Sequence, residues 1–273
     1  MANVRVPRIA FVSAITALLL LAPVTASAQA TSNPRVLPPS SMAYGKTYGG
    51  WSAAWWQYVE RQPGSTNPTN KNSTGAGCGQ DQSGPVFFLV GTGDNSGDPV
   101  VRNQCVVPAG KALFFPLVNV FDFHVDCTPQ TTNVCDTNLI DPPGSPLGTG
   151  PWEDLEISAT YQILSLHATI DGVPLSLGDP TTTPYRACAG PTDPKVTNPS
   201  HCGAPAFFLT FQTDNLFSPG LPAGTFGPSV SDGAWLLLAP LSPGRHTLSF
   251  GGTAEAGGSP NSQNITYNLT VAP

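Results

Sequence analysis

The stretch that decides the fold is GKALFFPLVNVFDFHVD, residues 110–126. Its apolar run passes into an alternation in which Asp122 separates Phe121 from Phe123. Because successive side chains of a β-strand point to opposite faces of a sheet, this pattern predicts a strand with one apolar face. Pro116 interrupts the run and has no N–H to donate, so we expect the strand to be bent or to lie at an edge.

Further strands are predicted on both sides of this stretch, because short apolar runs recur between Gly- and Pro-rich turns. The runs lie at 85–90, 100–107, 155–170, 206–211, 234–240, 245–250 and 265–271. Within 155–170 the alternation is strict to Ile163 and slips at Leu164, which predicts a β-bulge near 163–165. Residues 151–156 also suit a helix start, so a helix over the beginning of that run is the alternative.

The loop GTGDNSGDP, residues 91–99, lies between the first two apolar runs. A loop of Gly, Asn and Asp between two such runs is typical of a β-hairpin, which is our prediction. The alternative is a calcium loop, since Asp94, Asn95 and Asp98 carry the oxygen ligands that Ca²⁺ prefers.

One helix is predicted, in YGGWSAAWWQYVERQPG, residues 48–64. Its aromatic and small residues form one stripe at helical spacing, and the Pro-Gly pair ends it. The stripe consists of Trp51, Ala54, Trp55 and Tyr58. We expect this stripe to pack on a sheet; the alternative is that its aromatic rings stack on sugars.

The composition favours an all-β protein. The chain has Gly 28 times and Pro 30 times, which leaves few uninterrupted segments for helices, and only 10% of its residues are charged. Its content of 40% hydrophobic residues excludes full disorder. We therefore predict a β-sandwich, jelly-roll or immunoglobulin-like, with one docked N-terminal α-helix and long disulfide-stapled loops. A flexible lead-in at 29–43 precedes a single domain at 44–273, in which 155–273 is a candidate immunoglobulin-like half.

The first residues match a secretory signal. Arg5 and Arg8 precede an apolar run at 9–22, and Ala-Ser-Ala at 26–28 is a small-x-small cleavage signal. Cleavage of the predicted signal peptide 1–28 leaves 245 residues, takes the formal charge from −6 to −8, and leaves no membrane span. We predict a secreted or periplasmic protein, and without a basic patch nucleic acid is excluded as a partner.

The six cysteines predict disulfides, because an even number in an exported chain is typical of oxidised pairs. Fifteen pairings are possible, and we favour the nearest neighbours: Cys78–Cys105, Cys127–Cys135 and Cys188–Cys202. Each would close a polar loop with little core of its own and stabilise it by about 2–3 kcal/mol. A zinc site is disfavoured, since no CxxC pair exists.

The stretch FDFHVDC, residues 121–127, holds the candidate site. Asp122, His124 and Asp126 share one strand face, where two carboxylates and an imidazole can converge on a divalent metal, Ca²⁺ or Mg²⁺. His-x-Asp is also half of a two-His, one-carboxylate iron triad, whose second histidine would be His167, His201 or His246. His246 fits best, because it follows a turn and enters a strand. The competing interpretation is a polar, half-exposed strand face without a ligand.

A wider resemblance rests on five stretches taken in order: YGKTYGGWSAAWWQYV, QSGPVFF, CVVPAGKALFFPLVN, ATIDGVPL and DGAWLLLAPLSPGRHTLSF. Together they resemble a group of uncharacterised, hypothetical secreted bacterial proteins. The segment from LSPGRHTLSF to NITYNLTVAP resembles the last hairpin of immunoglobulin-like bacterial modules. These resemblances imply export and a β-rich unit, and they imply no activity.

These observations lead to one functional hypothesis and two alternatives. We expect a secreted, non-catalytic binding or surface-associated protein whose partner is a glycan or an extracellular protein. The first alternative is a metal-dependent extracellular enzyme using Asp122, His124 and Asp126. The second is a structural coat or matrix protein without a small ligand. No nucleophile elbow or HExxH motif is present to favour a hydrolase.

Overall fold

The computed structural model describes residues 35–123, 161–190, 202–205, 207–256 and 258–273. These residues form two six-stranded β-sheets and one α-helix. The signal-peptide prediction at 1–28, the helix alternative at 151–156 and the predicted Cys127–Cys135 pair lie outside the described residues. In the described part of the chain, no helix has the length and apolar character needed to cross a membrane.

Sheet A contains strands from both halves of the chain. They are β1 (Val86–Phe88), β4 (Ala112–Phe123), β7 (Arg186–Ala189), β8 (Cys202–Ala204), β9 (Phe207–Phe211) and β10 (Gly224–Leu238). Their order is β1-β4-β10-β7-β8, and β9 also pairs with β10. The long antiparallel pair β4–β10 forms the middle of this sheet, with Phe114 opposite Leu237.

Sheet B is built in the same mixed way. Its strands are β2 (Val100–Arg102), β3 (Val106–Pro108), β5 (Gln162–Ile170), β6 (Val173–Pro174), β11 (Gly244–Ala256) and β12 (Ser259–Ala272). Their order is β2-β12-β11-β5-β6, and β3 also pairs with β12. The β11–β12 pair is a long antiparallel hairpin, whereas β2 and β3 pair with β12 in parallel.

The two sheets pack face to face around one apolar core, as predicted for a sandwich. Side chains from β4 and β10 meet side chains from β5, β11 and β12 in this core. The rings of Phe115 on β4 and Phe250 on β11, for example, lie 4.5 Å apart across the interface. Alternating inward-facing residues from both sheets therefore supply the burial that holds the layers together.

The helix α1 (Tyr48–Glu60) packs on the outer face of sheet A. Thr47 caps its start by accepting a hydrogen bond from the Gly50 amide at 3.0 Å. Three of the four stripe residues are buried, and Trp55 lies edge-on to Trp235 of β10 with ring centroids 5.5 Å apart. The prediction of one docked helix is confirmed, and burial extends well beyond the stripe, because Ser52, Ala53, Trp56 and Val59 are buried too.

The two predicted irregularities are both present. Pro116 lies beyond Phe114, the last residue of β4 that pairs with β1, and beside a bulge in the β4–β10 pairing. At this position β4 therefore has no β1 neighbour, which suits a residue that lacks an N–H. In β5, Thr253 of β11 pairs with Ser165 and the next residue pairs with Ile163, which makes Leu164 the extra residue of a bulge. Leu164 is accordingly exposed.

The predicted hairpin at residues 91–99 is wrong. The strand before this loop, β1, belongs to sheet A, and the strand after it, β2, belongs to sheet B. Each strand is only three residues long and pairs in parallel with a longer strand, β4 or β12. The loop therefore crosses from one sheet to the other. The residue types of the loop do not show this, because the sheet that each short strand joins is set by the long strand with which it pairs.

The segment predicted as a flexible lead-in, 29–43, is described from residue 35 onwards. Val36 forms a β-bridge with Leu238 at the end of β10, and the Leu37 amide donates to the Leu237 carbonyl at 2.8 Å. Val36 is also buried. This part of the lead-in is thus paired to sheet A.

One predicted disulfide is confirmed: Cys78 and Cys105 are bonded. Cys188 is also disulfide-bonded, and its register partner on the neighbouring strand is residue 202. The pairing Cys188–Cys202 stays a prediction.

The Cys78–Cys105 bond gives a test of the stapled-loop idea. Replacing both cysteines by Ala should lower the free energy of unfolding by about 3 kcal/mol, because the bond closes a loop of 27 residues. Urea denaturation of the purified variant and wild type measures this. A difference below about 1 kcal/mol would show that the loop is held by its other contacts.

Candidate functional site

Only one residue of the predicted metal site lies in the described part of the chain. Asp122 is half-buried near the end of β4, and its own carboxylate accepts a hydrogen bond from the Phe123 amide at 2.7 Å. His124 and Asp126 lie outside the described residues. Among the residues the structure describes, no group of three His, Cys, Asp or Glu side chains is placed to hold a metal.

The predicted apolar face of this strand is confirmed. Phe121 and Phe123 stack on each other with ring centroids 5.7 Å apart, and Phe121 also packs on Trp56 of α1. Asp122 shares the opposite strand face with Val120, which packs against the core between the sheets. Asp122 is half-buried, which is compatible with the competing interpretation of a polar, half-exposed strand face.

His246, the candidate second ligand of an iron triad, has a structural role. Its Nδ1 lies 2.8 Å from the Asp171 carboxylate, and its Nε2 lies 2.9 Å from the Ser242 carbonyl. Both ring nitrogens are therefore engaged. The ring ties the turn before β11 to the turn after β5, which removes His246 from the iron hypothesis.

The candidate calcium loop already holds a cation of its own. Lys71 Nζ lies 2.5 Å from Asp94 and 2.8 Å from Asp98. Hydrogen bonds from this ammonium hold the pKa of each carboxyl below its usual range. Lys71 thus pairs with both acidic residues on which the calcium alternative rested.

The aromatic stripe of α1 does not present a sugar-stacking surface. Trp51, Trp55 and Trp56 are all buried, and the Trp55 indole donates to the Leu89 carbonyl at 2.8 Å. The alternative in which this helix exposes its rings is therefore wrong.

A different site emerges where the last turns of α1 meet the ends of both sheets. A cavity of about 520 Å³ opens here, which we call the α1 cleft. Its walls come from α1, β4, β12 and three loops, and its principal side chains are Trp55, Trp56, Glu60, Thr69, Lys71, Thr92, Asp94, Asn119, Val120, Phe121, Phe217, Asn261 and Gln263. The volume lies within the usual range for small-molecule sites.

Buried polar atoms without partners concentrate in this cleft. The described part of the chain has nine inaccessible side-chain nitrogen or oxygen atoms that make no hydrogen bond, and five belong to cleft residues. They are Trp56 Nε1, Glu60 Oε2, Asn119 Nδ2, Asn261 Oδ1 and Gln263 Oε1. Because an unpaired buried polar group costs about 1–3 kcal/mol, this cluster is a place where water or another molecule that reaches these atoms would complete the bonding. A second hollow, of about 750 Å³ near Arg61 and Asp214, has none of these atoms.

The amide pair at the base of the cleft joins the two sheets. Gln263 on β12 donates through Nε2 to Asn119 Oδ1 on β4 at 3.3 Å. This bond leaves Asn119 with a free donor and Gln263 with a free acceptor. Gly91 makes the arrangement possible, because a Cβ at that position would lie 1.7 Å from Gln263 Oε1.

Glu60, the last residue of α1, is the most unusual group in the cleft. Glu60 is only 2% exposed, and burial raises the pKa of its carboxyl to about 8. Desolvation is the whole cause of the shift, with no neighbouring charge contributing. The carboxyl is therefore largely protonated at neutral pH, and Glu60 is one of the residues that line the cavity.

Comparison with known proteins adds no functional assignment. No protein-family model, curated protein or solved structure matches the chain. The resemblance to hypothetical secreted bacterial proteins accordingly stays a prediction, and the site is interpreted from its own geometry.

Sequence reasoning missed the α1 cleft, although it held one signal. Asn119 is the single polar residue within ALFFPLVNVF, residues 112–121, and a lone amide in a buried strand needs a partner. Glu60 beside Arg61 has the appearance of a solvated helix end, which concealed it. Gln263 lies far along the chain, so only the packing of the sheets shows that these groups meet.

Proposed function

We propose that this chain is a secreted, non-catalytic binding protein that holds a small, hydroxyl-rich organic ligand in the α1 cleft. The supporting observation is that five residues lining one cavity each carry a buried polar atom without a hydrogen-bond partner. Secretion rests on the sequence of residues 1–28, and the Cys78–Cys105 bond is compatible with an oxidising compartment. The metal-dependent enzyme stays an alternative that rests on Asp122, His124 and Asp126.

The chemistry of the free atoms favours a sugar-like ligand. Trp56 Nε1 and Asn119 Nδ2 are donors, whereas Asn261 Oδ1 and Gln263 Oε1 are acceptors. A hydroxyl group both donates and accepts, so a ligand with several hydroxyls can satisfy such a mixed set. Phe121 and Phe217, which are only partly buried, line the cleft and offer apolar surface to the C–H groups of such a ligand. A glycan therefore fits better than an extended protein surface.

Binding to a saccharide panel tests this proposal. We expect at least one neutral or amino monosaccharide or disaccharide to bind, as measured by saturation-transfer NMR and titration calorimetry. The double variant Asn119→Leu, Gln263→Leu should weaken that binding by about tenfold or more, since it removes a free donor and a free acceptor. The variant removes both partners of one hydrogen bond, so no new unpaired amide is left behind.

The matched control is Gln57→Leu. Gln57 also lies on α1, but its amide donates to the Phe208 carbonyl at 3.1 Å and does not line the cleft. Its affinity should equal that of the wild type. The proposal fails if no saccharide binds at millimolar concentration, or if the double variant binds as tightly as Gln57→Leu.

A further inference from the structure

Among the described residues that line the cleft, Glu60 is the ionisable group without an ionic partner. The residue is 2% exposed, Oε2 makes no hydrogen bond, and a cavity lies directly beside the group. A buried carboxyl with neither hydrogen bonds nor a counter-charge is costly in its ionised form. A ligand that supplies a positive charge would relieve that cost.

None of the described residues that line the cleft supplies a free cation for Glu60. Among the described residues that line the cleft, the charged groups besides Glu60 are Lys71 and Asp94, and these pair with each other. Lys71 also contacts Asp98, so its charge is shared between two carboxylates. The cleft residues contributed by β4, β12 and the 216–217 loop are uncharged amides and apolar side chains. Within this part of the structure, Glu60 therefore faces no free positive group.

We propose that the ligand of the α1 cleft carries a protonated amine, and that this amine pairs with the Glu60 carboxylate. The inference rests on the proposed function, because it assigns the ligand class of the same cleft: an amino sugar or another hydroxylated amine. Phe121 and Phe217, which are only partly buried, line the same cavity, and aromatic surface also attracts ammonium groups.

The proton balance of binding follows from the geometry. Near neutral pH the Glu60 carboxyl holds its proton, because burial raises its pKa to about 8. An arriving ammonium stabilises the carboxylate, so the carboxylic proton leaves to solvent while the amine keeps its own. Amine binding therefore releases a proton and strengthens as pH rises towards 8. A neutral ligand that accepts a hydrogen bond from protonated Glu60 would release none and would weaken above pH 8.

The test compares two glycosides that differ at one group. The probes are 2-aminoethyl β-D-glucopyranoside and 2-hydroxyethyl β-D-glucopyranoside, with affinities and proton release measured by calorimetry in two buffers of different ionisation enthalpy. We expect the amine to bind at least tenfold more tightly at pH 7 and to release close to one proton. Its affinity should rise about tenfold from pH 6 to pH 7.

The variant Glu60→Gln should abolish the amine preference, the pH dependence and the proton release. Glu255→Gln is the matched control, since Glu255 lies on β11 and does not line the cleft. The proton-release measurement uses wild-type protein, so it does not depend on how the variant folds. Equal binding of both glycosides, or amine binding independent of pH from 6 to 8, overturns the amine proposal and leaves the binding function intact. If neither glycoside binds at millimolar concentration, the amine proposal falls, and the saccharide panel decides the binding function separately.

Discussion

Replacing Glu60 by Gln is expected to stabilise the protein at pH 8 by about 4 kcal/mol and to change its stability little at pH 4. In the unfolded chain this carboxyl titrates near its ordinary pKa of 4.5, whereas in the folded protein its pKa is about 8. Between these values only the unfolded state loses the proton. Ionisation therefore favours unfolding, and stability falls as pH rises through this window.

Urea denaturation at a series of pH values measures the effect, as the difference between the variant and the wild type. Taking the difference cancels every other titrating group that is common to both proteins. Glu255→Gln should stay within about 0.5 kcal/mol of the wild type throughout. If the Glu60→Gln difference is the same at pH 4 and pH 8, the carboxyl is not held in its neutral form by the cleft.

The second large effect concerns Trp235, near the C-terminal end of β10. Changing it to Ala should cost about 3–5 kcal/mol of stability, because the side chain is wholly buried and the cavity left behind spans the helix–sheet interface. The ring stacks on Phe114 at 5.3 Å and lies edge-on to Trp55. Its indole also donates to the Ala187 carbonyl at 3.2 Å.

The aromatic control is Phe208→Ala on β9. Phe208 lies in the same sheet but is 56% exposed, so its loss should cost less than about 1 kcal/mol. Chemical denaturation of the two variants gives both values. Similar costs for the two substitutions would mean that the layer between α1 and sheet A contributes little to stability.

Local patterns in the sequence predicted the β-sandwich, its docked helix and the bulge in β5. Period-two alternation located most of the long strands, and a single slip in that period located the bulge at Leu164. Trp51, Trp55 and Tyr58 at helical spacing indicated a packed helix, which the structure confirms. Such features depend on neighbours a few residues away, and the sequence displays them directly.

Features that depend on distant partners were hidden. The short strands β1 and β2 entered different sheets because each pairs with a long strand from elsewhere in the chain. Likewise, Lys71 pairs with Asp94 and Asp98 from a separate loop. The α1 cleft is the extreme case, since Glu60, Asn119 and Gln263 meet only once both sheets and the helix are in place. Secondary-structure patterns carry no information about these meetings.

The position of β12 has a consequence for how this chain comes to be folded. This strand lies inside sheet B, where it pairs with β11 along one edge and with β2 and β3 along the other. A ribosome makes β2 and β3 long before it makes β12. During this part of translation, β2 and β3 lack the strand with which they pair. Long-range pairings of this kind close slowly. The nascent polypeptide therefore cannot complete sheet B until the β12 segment emerges.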